Sequence, residues 1–98
     1  MILISLGDAY RRLGGRNWNL AQKCYTDAKN IFEELNDLLM VGVCLRKVAG
    51  VYIFQGQYKE ALPLCEESLK IFESADEKRG IYKAYQHKAW AYDFHPCA

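Results

Sequence analysis

Proline is almost missing from this chain, along with most features that mark common functional classes. Pro63 and Pro96 are its two prolines, so long helices can run without the breaks that proline imposes. No run of about 18 apolar residues exists, which argues against a membrane-spanning helix. The apolar start, Met1 to Leu6, lacks the basic segment and the small-residue cleavage site of a signal peptide. Charge of one sign is also lacking. Thirteen Lys and Arg against twelve Asp and Glu leave a formal charge of +1, which gives no overall pull toward nucleic acid or an anionic membrane. Four cysteines stand at 24, 44, 65 and 97. None forms a CxxC, and His87 and His95 do not complete a zinc-binding spacing, so no metal site is expected. A chain this rich in core residues does not need disulfide staples, and the cysteines read as reduced and intracellular, in a cytoplasmic protein. A phosphate-binding glycine loop and a nucleophile turn are both absent, so neither catalysis nor a cofactor is expected. Without a Ser/Gly linker or low-complexity tract, residues 1–98 read as one domain.

What is present is a core. Hydrophobic residues make up 51% of the chain, enough to exclude a disordered segment. They also repeat. Ala21 and Ala61 are 40 apart, as are Ile31-Phe32-Glu33 and Ile71-Phe72-Glu73, and Ala49-Tyr52 and Ala89-Tyr92. Tyr10 and Gly14 match Tyr52 and Gly56 at an offset of 42, the difference being absorbed in the loop from Gly14 to Asn17. Within each unit the apolar residues follow helical steps of three and four. Trp18, Ala21, Tyr25, Ala28, Phe32 and Leu35 form one stripe, and Tyr58, Ala61, Leu62, Cys65, Leu69 and Phe72 form another. Shorter stripes run through Leu3, Leu6 and Tyr10, through Val41, Leu45, Val48, Ala49 and Tyr52, and through Ile81, Tyr85, Ala89 and Tyr92. The spacing predicts helices over 1–13, 17–35, 38–55, 58–74 and 78–93, with turns at Gly14-Gly15, Asn36-Asp37, Gly56 and 74–76. The chain thus divides into repeat 1 (about 1–37), repeat 2 (about 38–77) and the first helix of repeat 3 (about 78–94). Short loops force neighbouring helices to pack antiparallel, and matching faces stack them into a solenoid.

These residues resemble the tetratricopeptide repeat. The second unit carries the likeness best, in Leu45, Val48-Ala49, Tyr52, Gly56, Tyr58, Ala61, Cys65 and Ser68. The first offers Leu3, Leu6-Gly7, Tyr10, Gly14, Trp18, Ala21, Tyr25 and Ala28. The period of about 40 resembles the long-helix type of kinesin light chains and cell-polarity adaptors, as does Tyr58-Lys59-Glu60-Ala61-Leu62-Pro63-Leu64-Cys65. Asp76 to Gly80 resembles the charged turn before a next first helix. Lys88 departs from the pattern, which prefers an apolar residue there.

The resemblance implies an all-α, right-handed superhelix of five antiparallel helices that serves as a scaffold or adaptor and binds a protein or peptide along a concave face of first helices. The lining positions it implies are Asp8, Arg11, Arg12, Arg46, Gly50, Ile53, Lys83, Gln86 and Trp90. Their excess of cations suits an acidic or amphipathic segment. Ile4 and Asp8 stand where the chaperone-tail clamp of one subclass needs lysine and asparagine, so that ligand is not expected. A nucleic-acid-binding helical repeat is the alternative kept open by Arg11, Arg12, Arg46 and Lys47, although the near-neutral total counts against it. A purely structural arm of a larger signalling protein is the other. The chain reads as a fragment of a longer array, beginning within a first helix and ending after an unpaired one. Apolar faces at Ile2, Ile4, Tyr85 and Trp90 are therefore expected to be exposed and to favour self-association.

Overall fold

The computed structural model describes residues 2–15 and 17–94, with side chains up to residue 91. Expectations attached to the side chain of Tyr92, and to His95 and Cys97, lie outside the described residues. Five helices follow in order: α1 (Ile2–Leu13), α2 (Asn17–Glu34), α3 (Leu38–Phe54), α4 (Tyr58–Ser74) and α5 (Lys78–Phe94). No strand occurs among the described residues. Each helix packs on the next, and α3 also meets α5. The chain is an all-α, tetratricopeptide-like superhelix, with α1, α3 and α5 forming one layer and α2 and α4 the other.

Three turns are built alike. The Asp37 N–H donates to the Phe32 carbonyl at 2.9 Å and the Asn36 N–H to Glu33 at 3.1 Å. Gln57 and Gly56 repeat this on Tyr52 and Ile53, and Glu77 and Asp76 on Phe72 and Glu73. This pair of bonds is the Schellman closure, which needs one residue in the left-handed region. Asn36, Gly56 and Asp76 supply it, with φ of 57°, 80° and 52°. Asn and Asp tolerate that region better than other side chains. Asp37 also caps α3 by accepting from the Met40 N–H at 3.3 Å. Leu35, placed on the apolar stripe by its spacing, is 68% exposed, because α2 ends one residue earlier and Leu35 opens the turn.

The core interleaves second-helix side chains with first-helix backbones. Ala21 and Tyr25 of α2 pack with Val48 and Val51 of α3. Ala61 and Cys65 of α4 pack with Ala49 and Ile53 of α3 and Ala91 of α5. Cys24, Cys44 and Cys65 are all buried and act as small hydrophobes. Burial pushes the Cys44 and Cys65 thiols up to about 11, which keeps them protonated and unreactive. Pro63 sits on the exposed side of α4, where the carbonyl it leaves without a partner can meet water.

Aromatic rings rest on glycines at the helix crossings. A Cβ on Gly7 would lie 2.6 Å from the Tyr25 ring, and one on Gly42 would lie 3.3 Å from Phe72. A Cβ on Gly80 would lie 2.5 Å from Phe72. Gly80, read from the sequence as part of a charged turn, is in the first turn of α5 because the Schellman closure ends at Glu77.

The third repeat requires a correction. Of its stripe of Ile81, Tyr85 and Ala89, Ile81 packs against Leu69, Phe72 and Ala84, but Tyr85 and Ala89 do not bury α5. Gly80, Ala84 and Ala91 are buried, while Tyr85 is 51% exposed and Ala89 is exposed. The 40-residue offset explains the difference. Ala84 and Ala91 match Cys44 and Val51, which face the preceding helices. Tyr85 and Ala89 match Leu45 and Ala49, and Ala49 packs on the following helix, α4. Among the described residues no helix follows on that face of α5. Lys88, in turn, pairs with Glu66 of α4 at 3.9 Å, which accounts for a cation at a position that otherwise prefers an apolar residue. On α1, Ile2, Leu6 and Leu13 form a second exposed apolar row.

Gly80→Ala is expected to destabilise the chain by about 1–3 kcal/mol through overpacking against Phe72, reversing the gain of about 1 kcal/mol that alanine brings to an open helix position. Urea unfolding followed by circular dichroism measures the sign. An unchanged or raised midpoint would show that the ring can move aside.

Candidate functional site

The first-helix layer carries a cleft of about 200 Å³ lined by Arg11 of α1, by Arg46, Lys47, Gly50, Ile53 and Phe54 of α3, and by His87 and Trp90 of α5. These residues converge because positions three, four and seven apart share one face of a helix. Arg46, Gly50 and Ile53 give α3 one such row, and Lys83, His87 and Trp90 give α5 another. A Cβ on Gly50 would lie 3.2 Å from His87 Nε2, so the helical glycine marks the close approach of α5.

Of the positions implied by the resemblance, Arg11, Arg46, Gly50, Ile53 and Trp90 line this cleft. Lys83 lines an adjoining recess of about 260 Å³, shared with Arg46 and floored by Leu39, Met40, Val43 and Phe72. Asp8 is engaged beneath: it accepts from the Tyr25 hydroxyl and from Lys47 Nζ at 3.0 Å. Arg12 and Gln86 are exposed and line neither recess. The sequence reading left Lys47, Phe54 and His87 out of the site. Lys47 adjoins Arg46, and His87 sits four residues after Lys83, so helical spacing carried a signal for both. Phe54 carried none. Its ring stacks with that of Trp18 of α2, ring centres 6.4 Å apart.

The cleft is electropositive. Burial tends to raise the Asp8 pKa, but hydrogen bonds from Tyr25 and Lys47 and the charges of Lys47 and Arg11 outweigh it and hold the carboxyl below its ordinary 3.8. Burial and the Asp8 carboxylate drive the Tyr25 hydroxyl up, so it stays a donor. Lys47 Nζ also lies 5.8 Å from the centre of the Tyr25 ring. One carboxylate thus faces three cations, bonded directly to the Lys47 ammonium and acting on Arg11 and Arg46 through its charge. Arg11 Nε and Arg46 Nε are buried and have no hydrogen-bond partner among the described residues. Burial and the neighbouring Arg11 push the Arg46 pKa down, yet a guanidinium stays charged at any physiological pH. Buried polar groups are normally satisfied. These two N–H donors belong to residues that line one cleft, with Ile53, Phe54 and Trp90 as an apolar wall beside them.

Asp8→Asn is expected to cost about 1–2 kcal/mol at neutral pH, the range for hydrogen bonds to a charged group discounted for partial exposure. Because the folded-state pKa of Asp8 is depressed, its contribution is present above 3.8 and is lost as the pH falls through the lower folded value. Unfolding of both forms across the acid range checks this. A gap between them that stays constant with pH would refute it.

No helix among the described residues is long and apolar enough to cross a membrane. Nor does any group of three or more His, Cys, Asp or Glu among them stand where it could hold a metal ion. No curated protein and no solved structure matches the chain. A family model described as tetratricopeptide repeat matches residues 1–74, without singling out the kinesin light chain type. With three quarters of its length matched and its helix pairs stacked as that repeat requires, the chain belongs to the tetratricopeptide repeat family, whose repeats mediate protein–protein interaction and are not catalytic.

Proposed function

We propose that this chain is a non-catalytic scaffold or adaptor segment, working in the cytoplasm, that captures an acidic, amphipathic stretch of a partner protein in the cleft formed by α1, α3 and α5. The observation that carries this reading is the pair of buried, partnerless Arg11 and Arg46 Nε atoms beside the apolar wall of Ile53, Phe54 and Trp90. A carboxylate satisfies the arginines through charge-assisted bonds, and an adjoining apolar side chain covers Trp90, which is 38% exposed. A charged pair ringed by apolar surface is also how an interface concentrates its affinity in a few residues. Lys83 and the adjoining recess extend the same surface along the array. The buried, unreactive thiols suit a reducing compartment. The open rows on α1 and α5 supply the surfaces on which a neighbouring repeat, or a second copy, would stack.

The test compares the chain with an Arg46→Glu, Trp90→Ala double variant of equal helicity, each immobilised and exposed to cell extract. A partner held by the parent and released by the variant supports capture in the cleft. Equal capture by both, or none by either, points to a purely structural arm. If nucleic acid is retained instead, with affinity falling steeply as salt rises, the cleft belongs to the nucleic-acid reading.

A further inference from the structure

His87 is the one titratable group of the cleft whose charge can change near neutral pH. Its Nδ1 lies 2.9 Å from the Lys83 carbonyl. A carbonyl only accepts, so Nδ1 carries a proton, and in the neutral ring Nε2 holds the lone pair. Nε2 is the atom that approaches Gly50. The ring lies 5.2 Å from that of Trp90, tilted by 48°.

Every element around the ring bears on its charge. α1 contributes Arg11, and α3 contributes Arg46 and Lys47, the last already answered by Asp8. On α5 itself stand the Lys83 carbonyl, the Trp90 ring and Lys88, which is paired with Glu66 of α4. Burial first, and then the charges of Arg46, Arg11 and Lys47, hold His87 below its ordinary 6.5 against the opposing pull of the Lys83 carbonyl. Against these charges alone, therefore, the ring is neutral at physiological pH and Nε2 presents a lone pair.

An oxyanion bound between Arg11 and Arg46 reverses this balance. It offsets the two charges that repel a proton on His87, and it places oxygens that repel the Nε2 lone pair but would accept from an Nε2–H. The Trp90 face beside the ring favours the cationic form as well. Proton and anion then favour each other by the same free energy, as linkage requires.

We propose that His87 couples proton uptake to anion uptake in the α1–α3–α5 cleft, so that an acidic protein segment is held more tightly as the pH falls through the histidine range. This rests on the reading that the cleft takes an acidic segment, and it adds the regulation of that site. The sign is fixed by geometry. Above the window the ring is neutral with or without ligand and affinity is flat. Within it, ligand binding takes up a proton and affinity rises as the pH falls. Below it the ring is charged in both states and affinity is flat again. Each unit by which the bound anion lifts the His87 pKa makes a difference of about tenfold in affinity between the two plateaus.

The test uses the whole chain with sodium sulfate as the probe, because sulfate keeps its charge across this range, exchanged against sodium chloride at constant ionic strength. Two NMR signals are followed. The arginine Nε–H resonances report whether the anion enters the cleft, and the His87 imidazole resonances, assigned by their loss in His87→Gln, report its titration. Sulfate is expected to shift the Arg11 and Arg46 resonances, to raise the His87 pKa, and to bind several-fold more tightly at about pH 5.5 than at about pH 8. His87→Gln, which keeps a polar side chain but cannot titrate, should remove the pH dependence while the arginine shifts persist. Arg46→Gln should weaken both. Arginine shifts with an unmoved His87 titration and pH-independent affinity would overturn the coupling while leaving the anion site standing. No arginine shift with sulfate, nor with a peptide of glutamate and leucine compared with its glutamine counterpart, would overturn the anion reading beneath it as well.

Discussion

Phe72 holds two first helices at once. It is 1% exposed, and its ring lies against Gly42 of α3 and Gly80 of α5. The spacing of α3 and α5 is thereby set by the thickness of one aromatic ring, and Tyr25 over Gly7 does the same for α2 against α1. A helical glycine costs about 1 kcal/mol relative to alanine, whereas burying an aromatic side chain stabilises by about 1.5–3 kcal/mol. The exchange favours the ring wherever a missing Cβ lets it reach the backbone. Everything on the first-helix face depends on that spacing. With α5 further out, His87 would not reach Gly50 and the cleft would be an open trough.

The turns explain why the stack is regular. Asn36, Gly56 and Asp76 are spaced by 20 residues, and each closes its helix with the same two hydrogen bonds. Identical closures send each helix back at a similar angle, so α3, α4 and α5 are equal in length and α5 enters the layer of α1 and α3. Only the first turn differs, with Gly14 and Gly15 both at positive φ. It is the loop in which the sequence offsets of 40 and 42 part company.

This regularity made most of the fold legible in the sequence. Stripes at helical spacing marked the helices, and Gly14, Asn36, Gly56 and Asp76 marked their ends. What remained hidden was which face of a helix meets which neighbour. Tyr85 and Ala89 continue the repeat pattern faithfully, yet they are exposed, because the pattern encodes a contact with a following helix and the described residues contain none. Gly80 looked like turn chemistry because glycine after a charged run is ambiguous until the ring above it is seen. The site was legible in a similar degree. Helical spacing on each first helix identifies a face about 100° wide, which was enough to gather Arg11, Arg46, Gly50, Ile53 and Trp90. It could not separate Arg11 from Arg12, or His87 from Gln86, because adjacent residues differ only in how the helix is rotated against its neighbour.

That rotation decides the chemistry of the cleft. Asp8 faces Tyr25 and Lys47, and its Oδ1 accepts from both. The carboxylate is thereby engaged beneath the first-helix face, where its direct partners are the tyrosine and the lysine rather than the arginines. Had Asp8 paired with Arg11 or Arg46 instead, the excess charge would be the same, but it would rest on Lys47 and an arginine's donors would be satisfied from within. An unsatisfied buried donor costs about 1–3 kcal/mol. Tolerating two of them in one recess lowers stability without helping any helix pack. The glycine-ring contacts and the buried stripes supply the stability that offsets them. On the proposed reading, a partner that brings its own acceptors satisfies the pair, and the apolar wall at Ile53, Phe54 and Trp90 suits one that is apolar next to its charge. On that reading, stability surrendered at the cleft is affinity held in reserve, at donors presented from two separate helices, α1 and α3.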